Sequence, residues 1–361
     1  MVDFDALEAA GIANARERAG LIDYLDGLGF TAEEMVDAER CGRLFGLAGD
    51  ALQGPGRPIH SLRSAAEALG APLAEVATAW AVMGLTITDP EALALSQADV
   101  DGLATWVAIK QLVGDDAALN FLRVLGNTMA RLAEAGGTMA RIAQPDLLMA
   151  HSGDELTTAK VYRAFTEITH RFGVLIDAVF RQHIVSARTH FEGVIIDASP
   201  SVTCGIGFAD LTGFTALTQA LTPAELSELL VDFGGSVSDI VHADGGRVVK
   251  FIGDEVMWVT STPDLLAKVA MDLVEHPRAR EAGLQVRAGL GYGSVLAIGG
   301  DYFGNPVNLA ARLVGAAAPG QILASTDVRD ELPDWPAIPQ EPLILKGFES
   351  PIMAYDLHLS R

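Results

Sequence analysis

The stretch Arg247-Val248-Val249-Lys250-Phe251-Ile252-Gly253-Asp254-Glu255-Val256-Met257-Trp258-Val259 decides how this chain is read. Two β-rich runs flank the turn-forming Gly253-Asp254-Glu255, which predicts a hairpin. Upstream, Thr222 opens a helix: it supplies a hydroxyl N-cap, Pro223 takes the first helical position and Glu225 closes a capping box. Leu226, Leu229, Leu230, Phe233, Val237, Ile240 and Val241 give that helix its buried face, and Gly245-Gly246 ends it. Gly205–Ala209 reads as a strand ahead of it. Beyond the hairpin come a helix over about Leu265–Glu281, strands near Val286–Leu290 and Val295–Ile298, a short helix after Asn305 and later strands. The order β-α-β-β-α-β predicts an α+β domain over residues 197–361, a ferredoxin-like antiparallel sheet with helices on one face.

The first part of the chain is different in kind. Residues 1–135 are rich in Ala and Leu with helical spacing, as at Leu103, Trp106, Val107, Ile109, Leu112 and Val113, and predict an all-α domain over residues 1–150. Turn signals at Gly54-Pro55-Gly56-Arg57-Pro58 and Thr88-Asp89-Pro90 cut it into short helices. In the linker, residues 151–196, the 4-3-4-3-4 spacing of Val161, Phe165, Ile168, Phe172, Leu175 and Val179 predicts one stripe on a long helix. That stripe serves equally for pairing with a second copy and for packing on its own domain.

The 361 residues suffice for two cores, and the net charge of -22 argues against phosphate backbones or anionic lipid as broad partners. No nucleic acid is expected. Ser61–Leu85 has the outline of a helix-turn-helix, but Ala74–Leu85 lacks Arg and Lys, so a plain helical pair is the better reading. Cys41 and Cys204 are too few for a disulfide framework or thiolate metal site and read as small hydrophobes in a reducing compartment. The acidic start Met1-Val2-Asp3-Phe4-Asp5 does not look like a signal peptide, and no apolar run reaches the roughly 20 residues of a membrane span. A cytoplasmic protein with no integral membrane segment is expected.

Four segments in the second half carry a resemblance. Phe208-Ala209-Asp210-Leu211-Thr212-Gly213-Phe214-Thr215, Lys250-Phe251-Ile252-Gly253-Asp254-Glu255 and Asp301-Tyr302-Phe303-Gly304-Asn305-Pro306-Val307-Asn308-Leu309-Ala310-Ala311-Arg312 resemble, in order, three motifs of class III nucleotide cyclases. Leu345-Lys346-Gly347-Phe348-Glu349-Ser350-Pro351 resembles the closing strand signature of the bacterial members, so the likeness runs over roughly Ser201 to Leu357. It implies an adenylate cyclase that converts ATP to 3′,5′-cyclic AMP and pyrophosphate with two Mg²⁺ or Mn²⁺ ions per site. Asp210 and Asp254 would be the metal ligands, Asn308 and Arg312 the catalytic pair, and Lys250 with Asp301 the adenine contacts. Gly213, Phe214 and Thr215 open a helix whose backbone N–H groups suit phosphates.

The residue types fit that chemistry. Carboxylates are the hard oxygen donors that Mg²⁺ and Mn²⁺ prefer. Adenine offers a ring acceptor and an exocyclic amino donor, matched by an ammonium and a carboxylate. Lys250 and Asp254 lie four residues apart on one hairpin and can hardly reach opposite ends of one ATP, which predicts a homodimer with shared sites. Residues 1–150 resemble, more loosely, the helical regulatory domain ahead of some bacterial cyclases, including pH-responsive ones. His170, His183 and His190 at the junction are candidates for proton sensing, and the Ala- and Leu-rich faces for a small effector. Two other readings stay open: a non-catalytic cyclase-like nucleotide-binding module, and a diguanylate cyclase, whose Gly-Gly-Asp/Glu-Glu-Phe hairpin is only partly matched by Ile252-Gly253-Asp254-Glu255-Val256.

Overall fold

A computed structural model describes residues 2–54, 56–191, 201–276 and 284–357, with the side chains of residues 187–191, 215, 216 and 223 outside the description. The chain divides into two compact units, Met1–Gln182 and His183–Arg361.

The first unit is helical: α1 Phe4–Ala10, α2 Ala19–Gly27, α3 Ala32–Arg40, α4 Leu47–Gln53, α5 Leu62–Leu69, α6 Leu73–Val82, α7 Gln97–Val113, α8 Asp115–Ala143, α9 Met149–Ser152 and α10 Glu155–Thr169. Side-chain caps start several of them, with complete capping boxes at Thr31/Glu34, Ser61/Ser64 and Ser96/Asp99. One core gathers Leu7, Ile22, Leu25, Met35, Leu44 and Ala159, and another gathers Leu62, Val76, Leu95, Leu103, Trp106 and Leu122. Leu103 and Trp106 are buried as their spacing predicts, whereas Leu112 and Val113 are exposed. Cys41 is exposed rather than packed as a small hydrophobe, while Cys204 is buried, which pushes its thiol up to about 12.

The long helix expected across the linker is two helices, α10 and α11 Phe172–Phe191. Thr166 Oγ1 donates to the Tyr162 carbonyl at 2.8 Å and Thr169 Oγ1 to the Thr166 carbonyl at 3.3 Å, so hydroxyls take up carbonyls of the last turn before the break. The predicted stripe is not the buried face: Ile168, Phe172, Leu175 and Val179 are exposed. Instead α10 turns Thr158, Ala159 and Thr166 inward. It is tied down by Tyr162 Oη, which donates to Asp50 at 2.6 Å, and by Arg18, which bridges Glu155 and Glu39 at 2.6 and 2.7 Å.

The second unit is the expected α+β domain. β1 Ser201–Thr212, α12 Phe214–Ala220, α13 Pro223–Ala243, β2 Arg247–Ile252, β3 Glu255–Thr260, α14 Pro263–Val274, β4 Gln285–Ile298, β5 Asp301–Phe303, α15 Asn305–Ala316, β6 Ile322–Ser325, α16 Thr326–Glu331, β7 Ala337–Pro339 and β8 Ala354–Leu357 follow one another. The sheet order is β2-β3-β1-β4-β6-β8-β7, with β5 paired to β4. All pairs are antiparallel except β4 with β6, whose parallel register follows from the α15 crossover between them. The α13 capping box forms as predicted, and Val237 and Val241 are buried, but Leu230 is exposed.

Helices cover both faces of this sheet, not one. Alternation along β1 sends Ala209 and Leu211 into a core with Val241, Trp258, Leu266 and Leu273 from the α13–α14 side. Val202, Cys204, Ile206 and Phe208 enter a second core with Met257, Tyr302, Ala310 and Val314 on the α15 side. The region expected as two strands around Gly291–Ser294 is the single long β4. Its glycines are there for close approach: a Cβ on Gly289 would lie 2.3 Å from the Ala310 carbonyl oxygen, and one on Gly291 2.4 Å from that of Pro306.

The β2–β3 ladder contains one irregularity. Arg247 pairs with Val259 and Val248 with Trp258, then Lys250 pairs with Met257, so Val249 is an extra residue. This bulge brings Lys250 to the same face of the strand as Arg247, where strict alternation would put it on the other.

Trp258 is fully buried across from Gly207, where a Cβ would fall 2.1 Å from the indole ring. Gly207→Ala is therefore expected to lower stability by about 1–3 kcal/mol in urea unfolding. Gly235→Ala, in the α13 interior with nothing within 4 Å of the new methyl, is expected to raise it by roughly 0.5–1 kcal/mol. Equal midpoints for the two variants would contradict this account of the sheet's packing.

Candidate active site

Two β ladders assemble an acidic cluster at one end of the sheet. The β1–β3 register, Ala209 opposite Val256, carries Asp210 on the next residue of β1 alongside the β2–β3 turn, where Gly253 at φ +67° bends the chain and Asp254 follows. The β1–β4 register places Asp210 opposite Arg287. Arg287 donates from Nε and Nη2 to Asp210 Oδ2 at 2.9 and 2.5 Å, with 17% of the Asp210 side chain exposed.

Asp254 interacts directly with Asp210. Its carboxyl is held above the ordinary carboxylate range, first by burial and then by the charge of Asp210 and a hydrogen bond to it, with Arg287 opposing. Glu255 is pushed further, to about 7, by burial and then by Asp210 and Asp254, against Arg287 and Arg312. Three carboxyls thus crowd near one arginine, whose Nε and Nη2 both donate to the single oxygen Asp210 Oδ2, an environment short of positive charge.

No group of three or more His, Cys, Asp or Glu side chains arranged to hold a metal occurs among the described residues. That is compatible with Mg²⁺, which is ordinarily held by one or two carboxylates together with substrate phosphates and water. Asp210 and Asp254 offer such a donor pair, and a cation between them would offset both the burial that chiefly raises Asp254 and the smaller contribution from the charge of Asp210.

The other residues singled out from the sequence lie on elements other than those that carry the three carboxyls. Lys250, on the bulged β2, is ion-paired with Asp301 at the start of β5. Asn308 and Arg312 are exposed one turn apart on α15 and line a cleft of about 510 Å³ with Lys346 and the Gly347–Ser350 loop. Arg312 Nε donates to the Lys346 carbonyl at 3.1 Å. Gly213 is exposed at φ +87° and caps α12, Phe214 packs against the core, and the Thr215 side chain lies outside the described residues. His170 faces the Leu52 carbonyl through Nδ1 at 3.0 Å and His183 is exposed, while the His190 side chain lies outside the described residues.

Three polar residues were not singled out beforehand. Arg287 becomes visible only once β4 is aligned with β1. Glu255 adjoins Asp254 in the hairpin motif, and Lys346 stands in the closing motif, so position in those segments was the available signal for both. Since Asp210 is nearly buried, Arg287→Met is expected to lower stability by about 1–3 kcal/mol. The Asp210→Asn/Arg287→Met double variant should lose less than the sum of the single losses. Strict additivity in urea unfolding would show that the pair carries no coupling.

Comparison with known proteins bears on both units. The model described as the Adenylate and Guanylate cyclase catalytic domain matches residues 196–358, and the one described as the Adenylate cyclase regulatory domain matches residues 4–187. A Mycobacterium tuberculosis protein described as uncharacterized is 66% identical over 357 residues, 99% of this chain and 94% of its own. A pH-sensitive adenylate cyclase of the same species is 31% identical over 340 residues, 91% of this chain and 83% of its own. The crystal structure of the adenylyl cyclase CyaB from P. aeruginosa aligns with 28% identity and a TM-score of 0.41, covering 45% of this chain and 96% of that one. The chain belongs to the class III nucleotide cyclases, with an adenylate cyclase regulatory domain preceding the cyclase catalytic domain.

Proposed function

We propose that the protein is an adenylate cyclase that closes ATP into 3′,5′-cyclic AMP and pyrophosphate at sites shared by two copies of the chain, under control of its N-terminal unit. The observation that carries the reading is the convergence of Asp210 and Asp254 at one end of the β1–β3 ladder. In ring closure a bond forms between the ribose 3′-oxygen and the α-phosphorus, the bond from that phosphorus to the bridging oxygen breaks, and pyrophosphate leaves. Asp210 and Asp254 would hold two Mg²⁺ or Mn²⁺ ions, which when bound would supply acidification of the 3′-hydroxyl and neutralisation of phosphate charge.

Each remaining residue has a task suited to its chemistry. Lys250 donates to the adenine ring acceptor and Asp301 accepts from the exocyclic amine, the reverse of the pattern guanine presents. Asn308 orients the ribose, and Arg312 meets the charge that builds on the phosphate. Lys346, in the same cleft, suits the polyphosphate, and the backbone N–H groups of Gly213–Thr215, close in sequence to Asp210, suit the same anion. Lys250 and Asp254 are joined by one hairpin too short to grip both ends of one ATP, so the base contacts come from one chain and the metal ligands from its partner.

The domain assignment that accompanies this reading is residues 1–150 regulatory, 151–196 linker and 197–361 catalytic. The pH sensitivity named for the M. tuberculosis relative supports a proton as the signal, with His170, His183 and His190 as candidate sensors and the N-terminal unit as the receiver of any small effector. Among the described residues no helix is long and apolar enough to cross a membrane, which is in keeping with a cytoplasmic enzyme.

Incubation with ATP and Mn²⁺ should yield cyclic AMP. A cyclic GMP or cyclic di-GMP product from GTP, or no product from either nucleotide, would defeat the reading. Asp210→Ala and Arg312→Ala chains, each inactive alone, should regain part of the activity when mixed, and absence of rescue at every ratio would defeat shared sites. For regulation, the pH profile of the full chain should differ from that of a fragment beginning at Asp197, and identical profiles would remove the sensor.

A further inference from the structure

The ion pair between Lys250 and Asp301 joins two strands that share no backbone ladder. β2 pairs only with β3, at the edge of the sheet, whereas β5 is bonded only to β4, with β3 and β1 lying between β2 and β4. Backbone hydrogen bonds therefore do not set the distance from Lys250 to Asp301. A second side-chain contact spans the same gap. Arg247, three residues before Lys250, donates from Nη2 to Tyr302 Oη, and its guanidinium lies 5.6 Å from the centre of the Tyr302 ring. Tyr302 is 3% exposed, packed in the core with Cys204 and Met257, so its ring is a fixed point.

The two contacts are coupled at both ends. On β2, the bulge at Val249 puts Arg247 and Lys250 on one face, aimed at neighbouring residues of β5. On β5, the Tyr302 backbone N–H donates to Asp301 Oδ1 at 2.8 Å while Lys250 takes Asp301 Oδ2, so the carboxylate is oriented by the residue that Arg247 holds. Arg247 forms no ion pair among the described residues, and its buried Nε has no hydrogen-bond partner. Among the described residues the Tyr302 hydroxyl is its only side-chain hydrogen-bond acceptor.

We propose that Arg247 and Tyr302 are positioning residues that hold β2 against β5, so that Lys250 and Asp301 present their ammonium and carboxylate at the spacing that selects the purine. The inference rests on the adenylate cyclase reading above. It assigns neither residue to contact with the nucleotide: their effect passes through the Lys250–Asp301 pair. Loss of the tie leaves metal ligands, ribose and phosphate contacts in place and loosens only the reading of the base.

The test is the ratio of kcat/KM for ATP to that for GTP in the full-length protein, with displacement of a fluorescent ATP analogue by ATP and by GTP as a readout independent of turnover. Tyr302→Phe keeps the ring and removes the acceptor; Arg247→Met keeps the stem and removes the donor. Each is expected to lower the ratio on the order of tenfold, chiefly through KM for ATP, and the double variant to lower it no further than either alone. Arg247→Lys, which keeps a charged donor, should recover part of the discrimination. Thermal unfolding checks that the variants fold, and Tyr302→Phe alone decides the matter if Arg247→Met does not. Folded variants with the wild-type ratio, or with equal losses for both nucleotides, would overturn the proposal and leave the adenylate cyclase reading standing. A wild-type protein that treats ATP and GTP alike would instead remove base selection by Lys250 and Asp301, and this proposal with it.

Discussion

Two carboxylates that repel each other are held together here by strand register. Asp210 sits where β1 runs alongside both β3 and β4, and these ladders fix at once its closeness to Asp254 and its bond to Arg287. Neither acid would choose this arrangement in water, and the raised affinity of Asp254 for its proton records the cost. The cores on both faces of β1 supply the opposing stability, since Ile206 and Phe208 on one side and Ala209 and Leu211 on the other are almost completely buried. In the proposed reading, an acidic pair held inside a rigid sheet would need little reorganisation to receive a cation, because folding has already brought the two carboxyls together.

The same sheet separates tasks by position. The candidate metal ligands lie at the hairpin end, while the ribose and phosphate candidates Asn308, Arg312 and Lys346 line a cleft formed by α15 and the loop before β8. Lys250 belongs to the hairpin by sequence but is turned by the Val249 bulge toward β5. One added residue in an edge strand thus changes which face a cation occupies, and with it which partner it meets.

Much of the catalytic domain was legible because its signals are local. The Gly253-Asp254 turn, the Thr222/Glu225 cap and the strand over Gly205–Ala209 depend on neighbours a few residues away. What was misread depended on distant packing. Strands were expected near Val286–Leu290 and Val295–Ile298 with a break between them, yet Gly289 and Gly291 admit the backbone of α15 against one continuous strand. Arg287 could not be matched to Asp210 before the strand order was known, and the single parallel pair needed the crossover helix on the second face. The large apolar residues of α10 and α11 suggested one stripe on a single long helix, suited either to a second copy or to its own domain, and the second of these does not occur, since Ile168, Phe172, Leu175 and Val179 are exposed. What α10 itself buries is small, Thr158, Ala159 and Thr166, with Thr166 close to Gly49, and a search for bulky side chains passes over such residues.

The account depends on Asp210 and Asp254 acting as a cation site, and Mn²⁺ binding measured by electron paramagnetic resonance tests this without relying on turnover. With a non-cyclisable ATP analogue present, wild-type protein should bind Mn²⁺ tightly, and Asp210→Asn and Asp254→Asn should each weaken that binding at least tenfold. Unchanged Mn²⁺ affinity in both variants would contradict the account at its base.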